Sequence, residues 1–243
     1  MAARQKQTYA YTIDEISRLL GLLEEPALTI IAVCAFTGLR IGEVEGLQWE
    51  DWCDGCLHVS RSIWRGHISP PKTQESAAPV PVIRPLANML EMHRARSGFP
   101  SCGPVFRNGV GTPLAMGNVL NRFILPVLNR CATCKLPKGT RHVTADHDWK
   151  RDESVPRWRG WHGFRRVVAT NLQHLGANVT TAQGALRHSD ATITLRHYSK
   201  VVREDVRAMM ERLGESVELN ANPIRDTERT PEQPVSPQPE SVN

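Results

Sequence analysis

Residues 28–36, LTIIAVCAF, are apolar nearly all the way round a helix. A helix with no polar face must be enclosed, so this segment belongs at the centre with other elements around it. Pro26 fits the opening of that helix, and Gly38 fits the left-handed residue that ends it. A chain of 243 residues, 40% of them hydrophobic, has enough material to enclose it in one or two domains with a real core.

The flanking pattern is mostly helical. Thr12 and Glu15 form a capping box ahead of Ile16, Leu19, Leu20 and Leu23 at helical spacing, which predicts a helix over 13–24. A short helix is expected from Ile41 to near Leu47, and further ones over 85–96, 118–129, 163–175, 178–187, 190–196 and near 201–214. Between 57 and 82 the pattern alternates, with Gly66, Pro70 and Pro71 as punctuation. That stretch predicts a small antiparallel sheet of about three strands, with Lys72 near the turn before the last one. Residues 131–160 are polar and irregular. The fold class expected is mainly α with a small antiparallel β-sheet, one domain over 8–216, followed over 217–243 by a disordered tail rich in proline.

Composition sets outer limits. The formal net charge is +5, and the tail holds Arg225 and Arg229 against Asp226, Glu228, Glu232 and Glu240, so the folded part is more basic than the whole. A basic body suits a polyanionic partner, although a mildly basic protein need not have one. No run of about 18 apolar residues exists to cross a membrane, and the start lacks the apolar stretch of a signal peptide, so a cytoplasmic location is expected. Six cysteines are too few for a disulfide scaffold at this length.

Six residues carry the chemistry: Arg40 in TGLRIGE (37–43), Lys72 in PPKT (70–73), His162 and Arg165 in HGFRR (162–166), His188 in LRHSD (186–190) and Tyr198 in TLRHYSK (194–200). A phosphodiester repels nucleophiles. Breaking one needs cations on the non-bridging oxygens, an aligned nucleophile and a proton for the leaving oxygen. Arginine is always charged and can hold two phosphate oxygens at once. His162 and Arg165, three apart, share a helical face, and His188 follows a helix end where positive charge is favourable. A phenol such as Tyr198 needs flanking cations or a base to attack. Lys72 in its turn could protonate a departing oxygen. Each also has an ordinary reading: an Arg40–Glu43 surface ion pair, a structural histidine, a solvated lysine, a half-buried tyrosine. It is the set of six, in order, that overrides them.

This set resembles the catalytic half of the tyrosine recombinase (phage integrase) family, over the chain from YTIDEISRLL to about Lys200. The resemblance implies the catalytic-domain fold of DNA breaking and rejoining enzymes. Arg40 and Arg165 are then the phosphate-clamping arginines, Lys72 the general acid, and His162 and His188 the active-site histidines. Glu43 supports the first arginine. Tyr198 would attack to leave a 3′-phosphotyrosyl link and a free 5′-hydroxyl, with no cofactor needed for catalysis. The partners implied are double-stranded DNA and further copies of the chain, a tetramer on DNA; a nucleoid-associated, cytoplasmic enzyme of a mobile element is expected, with no membrane role. Arg187 departs from the pattern, which usually has glycine there, and Arg166 replaces a frequent histidine. Only about ten residues precede Thr12, so the helical core-binding domain usual in the family is expected to be absent. The competing readings are a truncated remnant that binds DNA without completing strand exchange and a type IB topoisomerase.

Two CxxC pairs remain. Cys131 and Cys134 precede His142 and His147 by spacings a zinc site can use, and a metal would help to order a loop without its own core. Structural zinc and reduced surface thiols are the alternatives. Cys53–Cys56 reads as a turn centred on Asp54 and Gly55. The segment after Tyr198 has an apolar face, through Val206, Met209, Met210 and Leu213, that would pack either on a neighbouring copy or on its own domain.

Overall fold

The computed structural model describes residues 9–71, 77–139, 142, 146–175, 179–187 and 204–218. In chain order the elements are α1 (Ile13–Leu22), α2 (Ala27–Thr37), α3 (Ile41–Gly46), β1 (Trp52–Cys53), β2 (Cys56–Leu57), β3 (Ser62–Trp64), β4 (His67–Ser69), β5 (Val80–Pro81), α4 (Arg84–Arg96), α5 (Met116–Val119), α6 (Leu125–Leu128), α7 (His162–His174), α8 (Val179–Leu186) and α9 (Glu204–Glu218).

α2 is the central helix that its composition requires. Every residue from Thr29 to Thr37 is buried, and α1, α4, α7 and α9 pack around it. Burying each of Ile30, Ile31, Val33 and Phe36 contributes about 1.5–3 kcal/mol. Its two buried hydroxyls are satisfied locally: Thr29 donates to Glu25 at 2.6 Å and Thr37 to the Val33 carbonyl at 2.5 Å. The capping box of α1 forms in both directions, Glu15 N–H to Thr12 Oγ1 at 3.1 Å and Thr12 N–H to Glu15 Oε2 at 2.9 Å.

The expected single sheet is two separate ones. β1, β2 and β5 form a three-stranded antiparallel sheet, and β3 and β4 form their own hairpin. Alternation in sequence gives strands but not partners, and here β5 skips the hairpin to pair with β2. The Asp54–Gly55 turn does join β1 to β2, with both residues at positive φ. The 118–129 helix is broken into α5, a π turn over Leu120–Ile124, and α6. Pro126 has no N–H to return to the Arg122 carbonyl, and the widened turn absorbs that loss.

The last expected helix is α9, whose described residues run over Glu204–Glu218, past the expected end near 214. Its apolar face packs on its own domain, with Val206, Met210, Leu213 and Val217 buried and α1, α4 and α8 as neighbours. The expected helix at 190–196 and the proline-rich stretch from 219 lie outside the described residues.

Candidate functional site

The site begins where α2 ends. Gly38 adopts φ 64° and returns its N–H to Cys34 at 3.1 Å, turning the chain sharply. Leu39 goes into the core, and Arg40 caps α3 with its side chain part-exposed. Glu43, buried at 3% exposure, reaches back to Arg40 twice, to the backbone N–H at 2.8 Å and to the guanidinium at 3.0 Å. The Arg40–Glu43 pair is therefore not a surface ion pair, because its carboxylate is sealed from water. α3 can lie where it does because Gly42 has no Cβ: one would sit 2.6 Å from the Ile63 carbonyl oxygen.

α7 supplies the second part. His162 is its first residue and is exposed, and Arg165, one turn on, is buried. The Arg165 guanidinium donates to the Gly38 carbonyl at 2.6 Å and to the Leu186 carbonyl, so it ties together the C-terminal ends of α2 and α8. Burial lowers its pKa to about 10, helped by the nearby charges of Arg40 and Arg187. Two of its five N–H donors serve these carbonyls, and the others can face an anion.

Arg187, the departure from the family pattern, joins the same cluster. It follows α8 at φ 53° and donates to Glu43 Oε2 at 2.7 Å, with both side chains buried. The left-handed backbone explains why glycine suits this position. Here arginine accepts that conformation and gives Glu43 a second cation. Burial would raise the Glu43 pKa, but Arg187 first and Arg40 with it outweigh burial and hold it below its ordinary value. Two guanidiniums thus bond one buried carboxylate and a third, Arg165, lies within its electrostatic reach, an excess of positive charge that suits an anion. Sequence reasoning noted Arg187 only as a departure; a bulky residue at a glycine position was the available signal.

The structure brings together Arg40, Glu43 and Arg165, with His162 at the start of the same helix as Arg165. Lys72, His188 and Tyr198 lie outside the described residues.

The approach to α7 is tightly held. Arg151 donates to the carbonyls of Val155 and Pro156 at 2.7 and 2.9 Å, and the Arg159 N–H donates to Tyr11 Oη at 2.7 Å. Tyr11 stacks on Phe164, and a Cβ at Gly163 would meet the Tyr11 ring at 2.7 Å. Upstream, the ligand atoms of Cys131, Cys134, His142 and His147 lie within 4.8 Å of one another. Burial would raise the Cys131 thiol, but backbone N–H groups of Cys134, Lys150 and Thr133 and the His147 ring outweigh it and bring it to about 5. His147 is raised to about 9, chiefly by its hydrogen bond to Asp146. The other pair, Cys53 and Cys56, flanks a turn as expected, Cys53 exposed and Cys56 buried.

No protein-family model matches the chain. A curated protein described as "Tyrosine recombinase XerC-like", from Caldanaerobacter subterraneus subsp. tengcongensis, is 26% identical over 233 residues, covering 84% of this chain and 54% of its own length. The chain thus spans about half the length of that relative. Among solved structures, the Tn1549 transposon integrase in complex with transposon right end DNA superposes with a TM-score of 0.59 at 20% identity, covering 88% of this chain and 69% of that one. The same integrase with circular intermediate DNA gives 0.56 at 20% identity, over the same shares of both chains. The fold is that of a tyrosine recombinase catalytic domain, and in sequence the chain is similar to a tyrosine recombinase.

Proposed function

We propose that this chain, which resembles the tyrosine recombinases in motif order, sequence and fold, breaks and rejoins duplex DNA at specific sites through Tyr198. The observation that carries the reading is the gathering of Arg40, Arg165 and Arg187 around the buried Glu43. Three elements distant in sequence converge there to leave a net positive site, which is what a scissile phosphate needs.

In this reading Arg40 and Arg165 hold the non-bridging oxygens, and Glu43 fixes Arg40 from below. The Tyr198 oxygen attacks phosphorus. The bond to the 5′ oxygen breaks, that oxygen takes a proton from Lys72, and the phenol's proton passes to His162 or His188. The phosphotyrosyl link keeps the energy of the broken bond, so the reverse attack by a 5′-hydroxyl reseals the strand without a nucleotide cofactor. Duplex DNA is the partner, and a tetramer on DNA would pair two sites for exchange.

The test is covalent trapping. Nicked duplexes tiled from the DNA flanking the gene are offered to the parent protein and to Tyr198→Phe. A denaturant-resistant protein–DNA band with the parent alone is expected, and its position locates the site. DNA binding without a band from either protein would refute cleavage through Tyr198 and favour a protein that occupies sites without exchanging strands. Relaxation of supercoiled plasmid without site preference would favour a topoisomerase.

A further inference from the structure

The geometry points to a structural zinc site made by Cys131, Cys134, His142 and His147, which pins the loop leading into α7. Nothing in the strand-exchange chemistry uses these four residues. Among the described residues of 131–157, the buried apolar side chains are Cys131, Val155 and Pro156, too little to order some twenty-five residues by hydrophobic burial.

The loop is shaped around the sulfur. The Cys131 N–H donates to the Leu136 carbonyl at 2.7 Å, and Lys135 returns its N–H to the Cys131 carbonyl at 3.1 Å. Lys135 takes φ 61° to close this turn. The Ala132 N–H donates to the Lys150 carbonyl at 2.7 Å, which ties the two sides of the loop together next to Cys131. Cys131 is bridged to Arg151, so the two ends of the loop lie side by side.

Both histidines are arranged as ligands. His147 Nε2 lies 3.4 Å from the Cys131 sulfur, while its Nδ1 is held by Asp146 at 2.9 Å. A carboxylate behind the ring fixes its orientation and strengthens the nitrogen that faces the metal. His142 Nε2 is buried without a hydrogen-bond partner among the described residues. Its ring meets that of His147 edge-on at 5.0 Å between centroids. A buried ring nitrogen with no partner costs about 1–3 kcal/mol unless something occupies its lone pair.

The donor set selects the ion. Zn–S bonds of about 2.3 Å and Zn–N bonds of about 2.0–2.1 Å put tetrahedral ligands roughly 3.3–3.8 Å apart. The four atoms here span at most 4.8 Å, so small side-chain rotations close the shell. Two thiolates and two neutral imidazoles balance the double charge, and this S₂N₂ set is a zinc set. All four positions are filled by protein, which leaves none open for a reacting water, so the role is structural.

The site's consequence reaches α7. From Arg151 the chain runs through the Arg151 and Arg159 contacts to Trp158 and Trp161, which pack against the core beside Phe164. A metal that fixes residues 131–147 therefore fixes the start of the segment that delivers His162 and Arg165.

The experiment uses the full chain purified without chelator. Metal content is measured by plasma mass spectrometry on the parent, Cys134→Ser, His142→Gln and Cys102→Ser. About one zinc per chain is expected in the parent and in Cys102→Ser, whose thiol is exposed and not part of the cluster, with at least a fivefold loss in the other two. Cobalt added to the metal-free parent should give the intense visible bands of tetrahedral coordination and a thiolate charge-transfer band, a readout that needs no variant. Under a tenth of an equivalent of zinc in folded parent after incubation with the metal, a weak octahedral cobalt spectrum, or a Cys131–Cys134 disulfide in protein kept reduced would overturn the site. None of these readouts depends on recombinase activity.

Discussion

Replacing Arg187 by glycine restores the residue usual at this position in the resembled family, yet the structure says that it destabilises this chain. Two effects compete. Arg187 sits at φ 53°, and relieving a left-handed backbone recovers about 1–2 kcal/mol. Against that stands the ion pair with Glu43 at 2.7 Å, both side chains at 2–3% exposure. At an effective dielectric of about 20 the bare attraction is about 6 kcal/mol, but the charges also lost water on burial. Truncating one partner of such a pair costs about 3–5 kcal/mol. Arg40 still holds Glu43, which favours the lower end, so Arg187→Gly should lose about 1–3 kcal/mol net. Arg187→Ala keeps the strained backbone and loses the pair, so it should be about 1 kcal/mol worse than glycine. Urea unfolding at pH 7, without DNA, measures both. The difference between parent and Arg187→Gly should also shrink in acid. Glu43 is held below its unfolded pKa of about 4.3, so its contribution is complete above that pH and fades as pH falls through the folded value. A glycine variant as stable as the parent, or an alanine variant equal to it, would refute this account of the cluster.

Other outcomes follow from single contacts. Gly163→Ala would force a methyl to within 2.7 Å of the Tyr11 ring and should cost about 1–3 kcal/mol, read as a lower thermal midpoint. In native protein carrying the proposed zinc, Cys53 and Cys102 should react quickly with an aromatic disulfide reagent, being the exposed thiols. Cys34, which burial pushes up to about 12, should react only on unfolding; fast labelling of more than two thiols would contradict this. Stripping the metal with a chelator and a mercurial should open the loop to trypsin at Lys135, Lys138 and Lys150 while the helical core survives, seen as a defined pair of fragments by mass spectrometry.

Much of the molecule could be read from local pattern because local pattern is what forms it. The capping box at Thr12 and Glu15, the all-apolar α2 and its Gly38 terminator act within a few residues. The starts and ends of α1, α2, α4 and α7 therefore fell close to where the sequence put them. The convergence of Arg40, Glu43 and Arg165 was foreshadowed by short strings, TGLRIGE and HGFRR, whereas Lys72, His188 and Tyr198 lie outside the described residues. Strand pairing was not legible, since the choice of β5 over the β3–β4 hairpin as partner for β2 is made across the chain. Nor was the fate of the apolar face of α9, because hydrophobicity names no partner; packing against α1, α4 and α8 did.

What the sequence determined by itself was the helical framework, the excess positive charge, the order of the motifs and the spacing of the cysteine–histidine set. Only the tertiary structure decided that Arg187 would enter the site, because its partner Glu43 is 144 positions away and no periodicity links them. It likewise decided that His142 and His147 would turn back on Cys131 and Cys134. Spacing permits such a closure, and the bridge between Cys131 and Arg151 accompanies it. The physical reason is common to both cases. Short-range propensity acts through the backbone of neighbouring residues, whereas a buried charge or a buried ring nitrogen finds its partner only when burial removes water as the alternative.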